Sequence, residues 1–153
     1  MKAISLWQPW ASLIAVGAKP FETRDWPPPR SLIGERIAIH AAKRPVNAED
    51  REWAARHGCL DLPLGAVVCT ALLVGGYQCG DALKDGLVRI VARREMPEVA
   101  HIDPGGIPTD EFGDYAPGRW AWRLTDIKRI GPWPAIGRQG FWDYPYSDEV
   151  LSR

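Results

Sequence analysis

Net charge is absent from this chain: 19 lysines and arginines balance 19 aspartates and glutamates over 153 residues. That balance argues against a protein that coats duplex DNA through a global positive field, while leaving room for a local basic groove. Cysteine is scarce. Cys59, Cys69 and Cys79 stand ten residues apart, with no C-x-x-C pair and no neighbouring histidine pair, so neither a zinc site nor a cofactor is expected. An odd thiol count without an export signal points to reduced cysteines and a cytoplasmic location. The amino-terminal run carries one lysine and an internal proline and does not read as a signal peptide. No apolar run approaches the length of a membrane span. Repeats, low-complexity tracts and a second domain boundary are missing too. The expectation is one domain, 1–153, burying roughly two-thirds of its unfolded surface without disulfides or metals.

Tryptophan, by contrast, is plentiful, with eight residues. Flat rings are what stacking on nucleobases requires, although most of the eight are expected in the core. The stretch from Ile4 to Arg44, ISLWQPWASLIAVGAKPFETRDWPPPRSLIGERIAIHAAKR, organises the rest. Gln8-Pro9 opens a helix, because proline at the first helical position loses no hydrogen bond. Trp10, Leu13, Ile14 and Gly17 follow as one apolar stripe, and Gly17 closes the helix in the left-handed conformation. Lys19 then falls just past the helix end. Extended chain from Phe21 to Trp26 sets Phe21, Thr23 and Asp25 on one side and Glu22, Arg24 and Trp26 on the other. With Phe21 and Thr23 toward the core, Glu22 and Arg24 line a groove. The alternative is a surface strand with an ordinary ion pair.

LWQPWASL, then GAKPFETR, then IHAAKRP, resemble the ASCH family (activating signal cointegrator homology domains), whose signature is G-x-K-x-x-E-x-R. Gly17, Lys19, Glu22 and Arg24 fill its fixed positions. The likeness continues through LPLGAVVCTALL and PGRWAWRLTDIKRI and so covers nearly the whole chain. It implies an α+β fold: a single-domain PUA-like β-barrel with two or three flanking helices and a ligand cleft. It also implies a family that binds RNA, modified nucleosides or single-stranded nucleic acid.

Residues 2–6 form a first strand. Trp26-Pro-Pro-Pro-Arg30 is extended and stiff, serving as a cleft rim or as a linker. Residues 36–41 form a strand with Ile37 and Ile39 on one face and Ala38 and His40 on the other, and the second face suits a cavity. His40 fits either a satisfied structural histidine or a ligand contact. Asn47 to Gly58 is a capped helix anchored by Trp53, with His57 at its negative end. Residues 65–74 are a central, doubly covered strand that Gly75-Gly76 ends. Residues 81–85 suit a helical turn, and 87–92 either strand or helix. Met96 to Gly118 holds four prolines and reads as a long irregular loop, functional or poorly ordered. Tyr115 lies at the cleft mouth or over a proline turn. Arg119 to Leu124 alternates, with Trp120, Trp122 and Leu124 filling the barrel, and 127–130 continue the sheet. The glycine-punctuated tail packs its aromatics over the first helix, while Arg138 and Gln139 offer donors.

A bound, splayed-out base needs a π-face, a donor and acceptor edge, and local positive charge. Trp7 or Trp26 supplies the ring, and Gln8, Glu22 and His40 supply polar edges. Lys19, Arg24, Lys43 and Arg138 supply the charge. The expected partner is RNA, single-stranded nucleic acid or a nucleoside, bound by a monomer or weak dimer with no membrane involved. Two catalytic alternatives draw on Lys19, Glu22 and Tyr115. One branch of the family, the N4-acetylcytidine amidohydrolases, uses a threonine nucleophile with a lysine and a glutamate. Lys19 matches its lysine, but its threonine position falls on Glu22, which cannot replace the hydroxyl as an acyl acceptor. The other is metal-independent RNA cleavage shared by Lys19, Tyr115 and His40.

Overall fold

The computed structural model of the chain describes residues 1–96 and 105–151. They form an α+β fold with a mixed sheet of eight strands and three α-helices. The chain divides into two compact units interleaved in sequence, one comprising 1–19, 36–72 and 126–153 and the other 20–35 and 73–125.

In the first unit, β1 (Lys2–Leu6) runs parallel to β3 (Arg36–Ala41), with Ala3 opposite Ala38 and Leu6 opposite Ala41. β3 pairs antiparallel with the first part of β4 (Ala66–Ala82). The tail forms β8 (Phe141–Asp143) beside β1, so its aromatics pack on the sheet and not over the first helix as expected. Trp142 and Tyr144 join Ala3, Ala38, Val67 and Leu151 in a buried cluster. Ala38 therefore faces core, and the expected cavity lining on that side of β3 is replaced by packing. α1 (Trp10–Ala15) buries Ala11, Leu13 and Ile14, and Gly17 at φ +80° ends it. That conformation is open to glycine at little cost. α2 (Ala48–Arg56) begins at Asn47, whose side chain accepts the Asp50 N–H at 2.7 Å. α3 (Asp148–Leu151) closes the described chain.

In the second unit, β2 (Phe21–Arg24) pairs antiparallel with the start of β7 (Trp120–Pro134), placing Glu22 opposite Trp122 and Arg24 opposite Trp120. The later part of β4 pairs with β5 (Leu87–Glu95), which pairs with the two-residue β6 (Ile107–Pro108). Residues 87–95 are thus strand, and the turn before them is a 3-10 segment at Lys84–Gly86. Part of the expected 96–118 loop, residues 97–104, lies outside the described residues. Phe21, Tyr77, Cys79, Val88, Ile107, Tyr115 and Ala121 form the core.

Two expectations fail here. β4 does not stop at Gly75-Gly76 but runs through both for 17 residues. A Cβ on Gly76 would strike the Pro28 ring and one on Gly75 would meet the Tyr77 hydroxyl, so these glycines allow close approach. Nor do the strands close into a barrel. Among the described residues the strands run in the open order β2-β7-β4-β3-β1-β8, with β5 added on β4 and β6 on β5.

Candidate functional site

Directly opposed residues of an antiparallel pair project to the same side of the sheet. The β2–β7 register therefore sets Glu22 and Arg24 on the face of Trp122 and Trp120, and Phe21 and Thr23 on that of Arg123 and Ala121. The two tryptophans are buried, as expected from the alternation, and they lie beneath the charged motif residues. Glu22 is 8 % exposed and accepts a hydrogen bond from Arg24 Nε at 2.9 Å. Trp26, half-buried, meets Trp122 edge-on at 4.7 Å, and Trp122 Nε1 donates to the Trp26 carbonyl at 3.1 Å. Arg94 donates to the Pro28 carbonyl and lies 5.6 Å from the Trp120 ring centre. A carboxylate, a guanidinium and a half-open indole thus share one wall. Trp120, Trp122 and Arg94 were missed as parts of it. The tryptophan alternation was visible in the sequence, but the register that assigns its face was not.

Thr23, on the other face, accepts the Asp114 N–H through Oγ1 at 2.9 Å. Tyr115 is buried against Phe21, and its hydroxyl donates to Asp110 at 2.9 Å. Burial first, and then the Asp110 carboxylate, push its pKa up. The phenol stays protonated through neutral pH. Tyr115 belongs to the core and not to the cleft mouth. Behind the same sheet, burial and the Glu95 carboxylate push Tyr77 up to about 12.

In the first unit Lys19 is 2 % exposed, a rare position for an ammonium group. Its backbone N–H donates to Leu13 O, so the glycine stop at Gly17 fixes where it leaves the helix. Gln8 is fully engaged: Oε1 accepts the Ser12 N–H, and Nε2 donates to Ser12 Oγ and to the Pro63 carbonyl. It acts as a cap for α1. His40 is buried with Nε2 donating to the Ala135 carbonyl at 3.1 Å and Nδ1 paired with Ser5 Oγ at 3.0 Å. Trp142 Nε1 donates to the same Ser5 oxygen. Burial lowers the His40 pKa, opposed by the Ala135 hydrogen bond. This is a satisfied, neutral, structural histidine. Trp7, Lys43 and Arg138 are exposed.

A cavity of about 590 Å³ in the first unit is lined by Ser12, Val16, Cys59, Leu62, Val68 and Arg129 among others, and none of the residues expected to bind a ligand or to act in catalysis borders it. Cys59, Cys69 and Cys79 are free and buried, and burial raises each thiol, Cys69 to about 12. Among the described residues no three His, Cys, Asp or Glu side chains group to hold a metal, and no helix is long and apolar enough to cross a membrane.

Residues 4–99 match the family described as ASCH domain. No curated protein matches the sequence. Among solved structures, the crystal structure of ASCH from Zymomonas mobilis aligns at 20% identity with a TM-score of 0.44, covering 87% of this chain and 72% of that one. The family match takes in more than half of the sequence, and the chain belongs to the ASCH domain family.

Proposed function

We propose that this protein binds RNA, single-stranded nucleic acid or another nucleobase-containing ligand through its G-x-K-x-x-E-x-R segment, Gly17 to Arg24. The observation that carries the reading is the Glu22–Arg24 pair, held on the tryptophan-bearing face of β2 with the carboxylate largely out of water. A shielded carboxylate accepts hydrogen bonds from an exocyclic amine or ring N–H far more selectively than one in bulk water, where solvent competes. The guanidinium offers donors to a base carbonyl or phosphate, and Trp26 offers a ring edge or face for stacking. Lys19 is the remaining charged position of the motif in the sequence.

Binding is better supported than hydrolysis. The motif has no hydroxyl nucleophile at the position of Glu22, and the Thr23 hydroxyl is on the opposite face, receiving the Asp114 N–H. For RNA cleavage, His40 and Tyr115 already hold protein partners. The test is titration of the protein with a labelled short single-stranded RNA and, separately, with free nucleosides. Glu22→Gln and Lys19→Ala should each weaken binding about tenfold or more, the loss expected for one charge-assisted contact. Unchanged affinity in both variants overturns the reading. Parallel incubation with RNA and with N4-acetylcytidine, followed by mass, should return intact substrates. Deacetylation or cleavage that disappears in Lys19→Ala would make the protein a hydrolase.

A further inference from the structure

Main-chain hydrogen bonds within the first unit bring several strand ends to one edge. The Ala42 N–H donates to Leu6 O at 2.9 Å, the Gly65 N–H to Ala41 O at 2.7 Å, and the Ala135 N–H to Gly65 O at 2.9 Å. Trp7, Lys43 and Arg44, Leu64 and Ile136 therefore leave the sheet side by side. Trp7 is 55 % exposed and Ile136 84 %. The Arg44 guanidinium carbon lies over the Trp7 ring, 3.7 Å from its centre. More than half of the residue remains in water even so, which leaves ring surface within reach of a base. The Lys43 stem crosses Gly65, where a Cβ would come within 2.7 Å of Cε and displace the stem; the φ of +62° is what favours glycine there. Segments 42–46, 63–65 and 135–139 carry Lys43, Arg44 and Arg138 and no acidic residue, in a chain of zero net charge.

An exposed indole backed by a guanidinium holds no core together. A cation–π contact at an exposed site is weak, whereas a base stacked on an aromatic ring is worth more and tolerates any sequence. We infer that this edge is a track for single-stranded RNA. One base stacks on the exposed ring surface of Trp7, and Lys43, Arg44 and Arg138 contact the phosphates of neighbouring nucleotides. The inference rests on the nucleic-acid reading and deepens it: the ligand is a polymer, and its affinity comes partly from nucleotides that the motif does not touch.

Fluorescence anisotropy with a labelled short single-stranded RNA, set beside competition by the corresponding mononucleotide, tests it. Trp7→Ala should weaken RNA binding at least about fivefold and leave the mononucleotide unaffected, and Trp7→Tyr should restore most of the loss. In the double variant Lys43→Gln, Arg44→Gln the slope of log affinity against log salt should flatten by about 0.7 for each cation removed. All of these side chains are exposed, so the variants keep the fold. RNA affinity and salt slope unchanged in these variants would overturn the track while leaving the motif reading intact. Equal affinity for mononucleotide and RNA in the parent protein would do the same. RNA binding that responds to Trp7 and Arg44 but not to Lys19→Ala would establish the track and remove the motif reading. Binding of neither probe removes both.

Discussion

Arg24 Nε lies 2.9 Å from Glu22 Oε1, two residues along the same strand, and both side chains are more than two-thirds out of water. A pair so placed differs from an ordinary surface ion pair, because solvent cannot fully take over either partner's role. Arg24→Ala should destabilise the fold by about 1–3 kcal/mol, since a largely buried carboxylate loses a charged donor. Glu22→Gln should cost less, because the neutral amide still accepts a hydrogen bond. Adding Glu22→Gln to Arg24→Ala should then recover part of the loss, giving a non-additive cycle. Urea unfolding of the four proteins measures it, and strict additivity would mean that the two groups do not depend on each other.

Gly76 presents a steric case. The strand runs through it, and the Pro28 ring occupies the space that any side chain there would need. Gly76→Ala should destabilise by about 1–3 kcal/mol through overpacking against a rigid ring. A lower urea midpoint with an unchanged m-value is the expected result. Pro28→Ala in the same background should relieve part of the cost, as the clash partner is then removed.

The same glycines show where sequence reasoning stops. A Gly-Gly pair after an apolar run ordinarily marks a strand end, and nothing local announces that Pro28, some fifty residues earlier, is the reason for it. The elements set by local rules were legible: the Gly17 stop, the Asn47 cap, the strand at 36–41 and the alternation of Trp120 and Trp122. What depends on register was not. The sequence places Glu22 and Trp122 on alternating faces of their own strands but cannot say that those faces coincide. Hence the charged motif was legible and its tryptophan backing was not. Likewise, Gln8 and His40 have the chemistry of ligand contacts, and only their distant partners, Pro63 and Ala135, identify them as structural.

His40 gives a pH dependence with a definite sign. Its pKa is lowered in the folded protein, chiefly by burial, so between that value and the ordinary 6.5 the unfolded chain binds a proton that the native state refuses. Stability from this group is complete above about pH 6.5 and declines as pH falls through that value. The hydrogen bonds agree: with Nε2 donating to Ala135, Nδ1 is free of a proton and accepts from Ser5. Urea midpoints should fall between about pH 7.5 and about pH 5.5. His40→Gln should be less stable at neutral pH yet lose part of that slope. The other two histidines remain in both proteins and cancel in the comparison. An identical slope in the two proteins would place the titration elsewhere.

Tyr115 separates a structural phenol from a catalytic one. Its hydroxyl donates to an Asp110 carboxylate oxygen at 2.9 Å, while the other oxygen of Asp110 accepts the Phe112 N–H, also at 2.9 Å. The tyrosine thereby pins the turn before β7 to the core cluster around Phe21. Tyr115→Phe keeps the ring and its contact with Phe21 but leaves one Asp110 oxygen without its phenolic donor. The expected cost is about 0.5–1.5 kcal/mol, the usual net worth of one such bond, and RNA affinity should stay at the parent value. A ribonuclease that used this hydroxyl for proton transfer would behave differently. Its cleavage rate would collapse in Tyr115→Phe while stability and binding barely changed. Because burial and Asp110 both hold the phenol protonated, that rate would also have to depend on an acid and not on a phenolate. Stability loss without any change in RNA integrity is therefore the outcome that the packing requires.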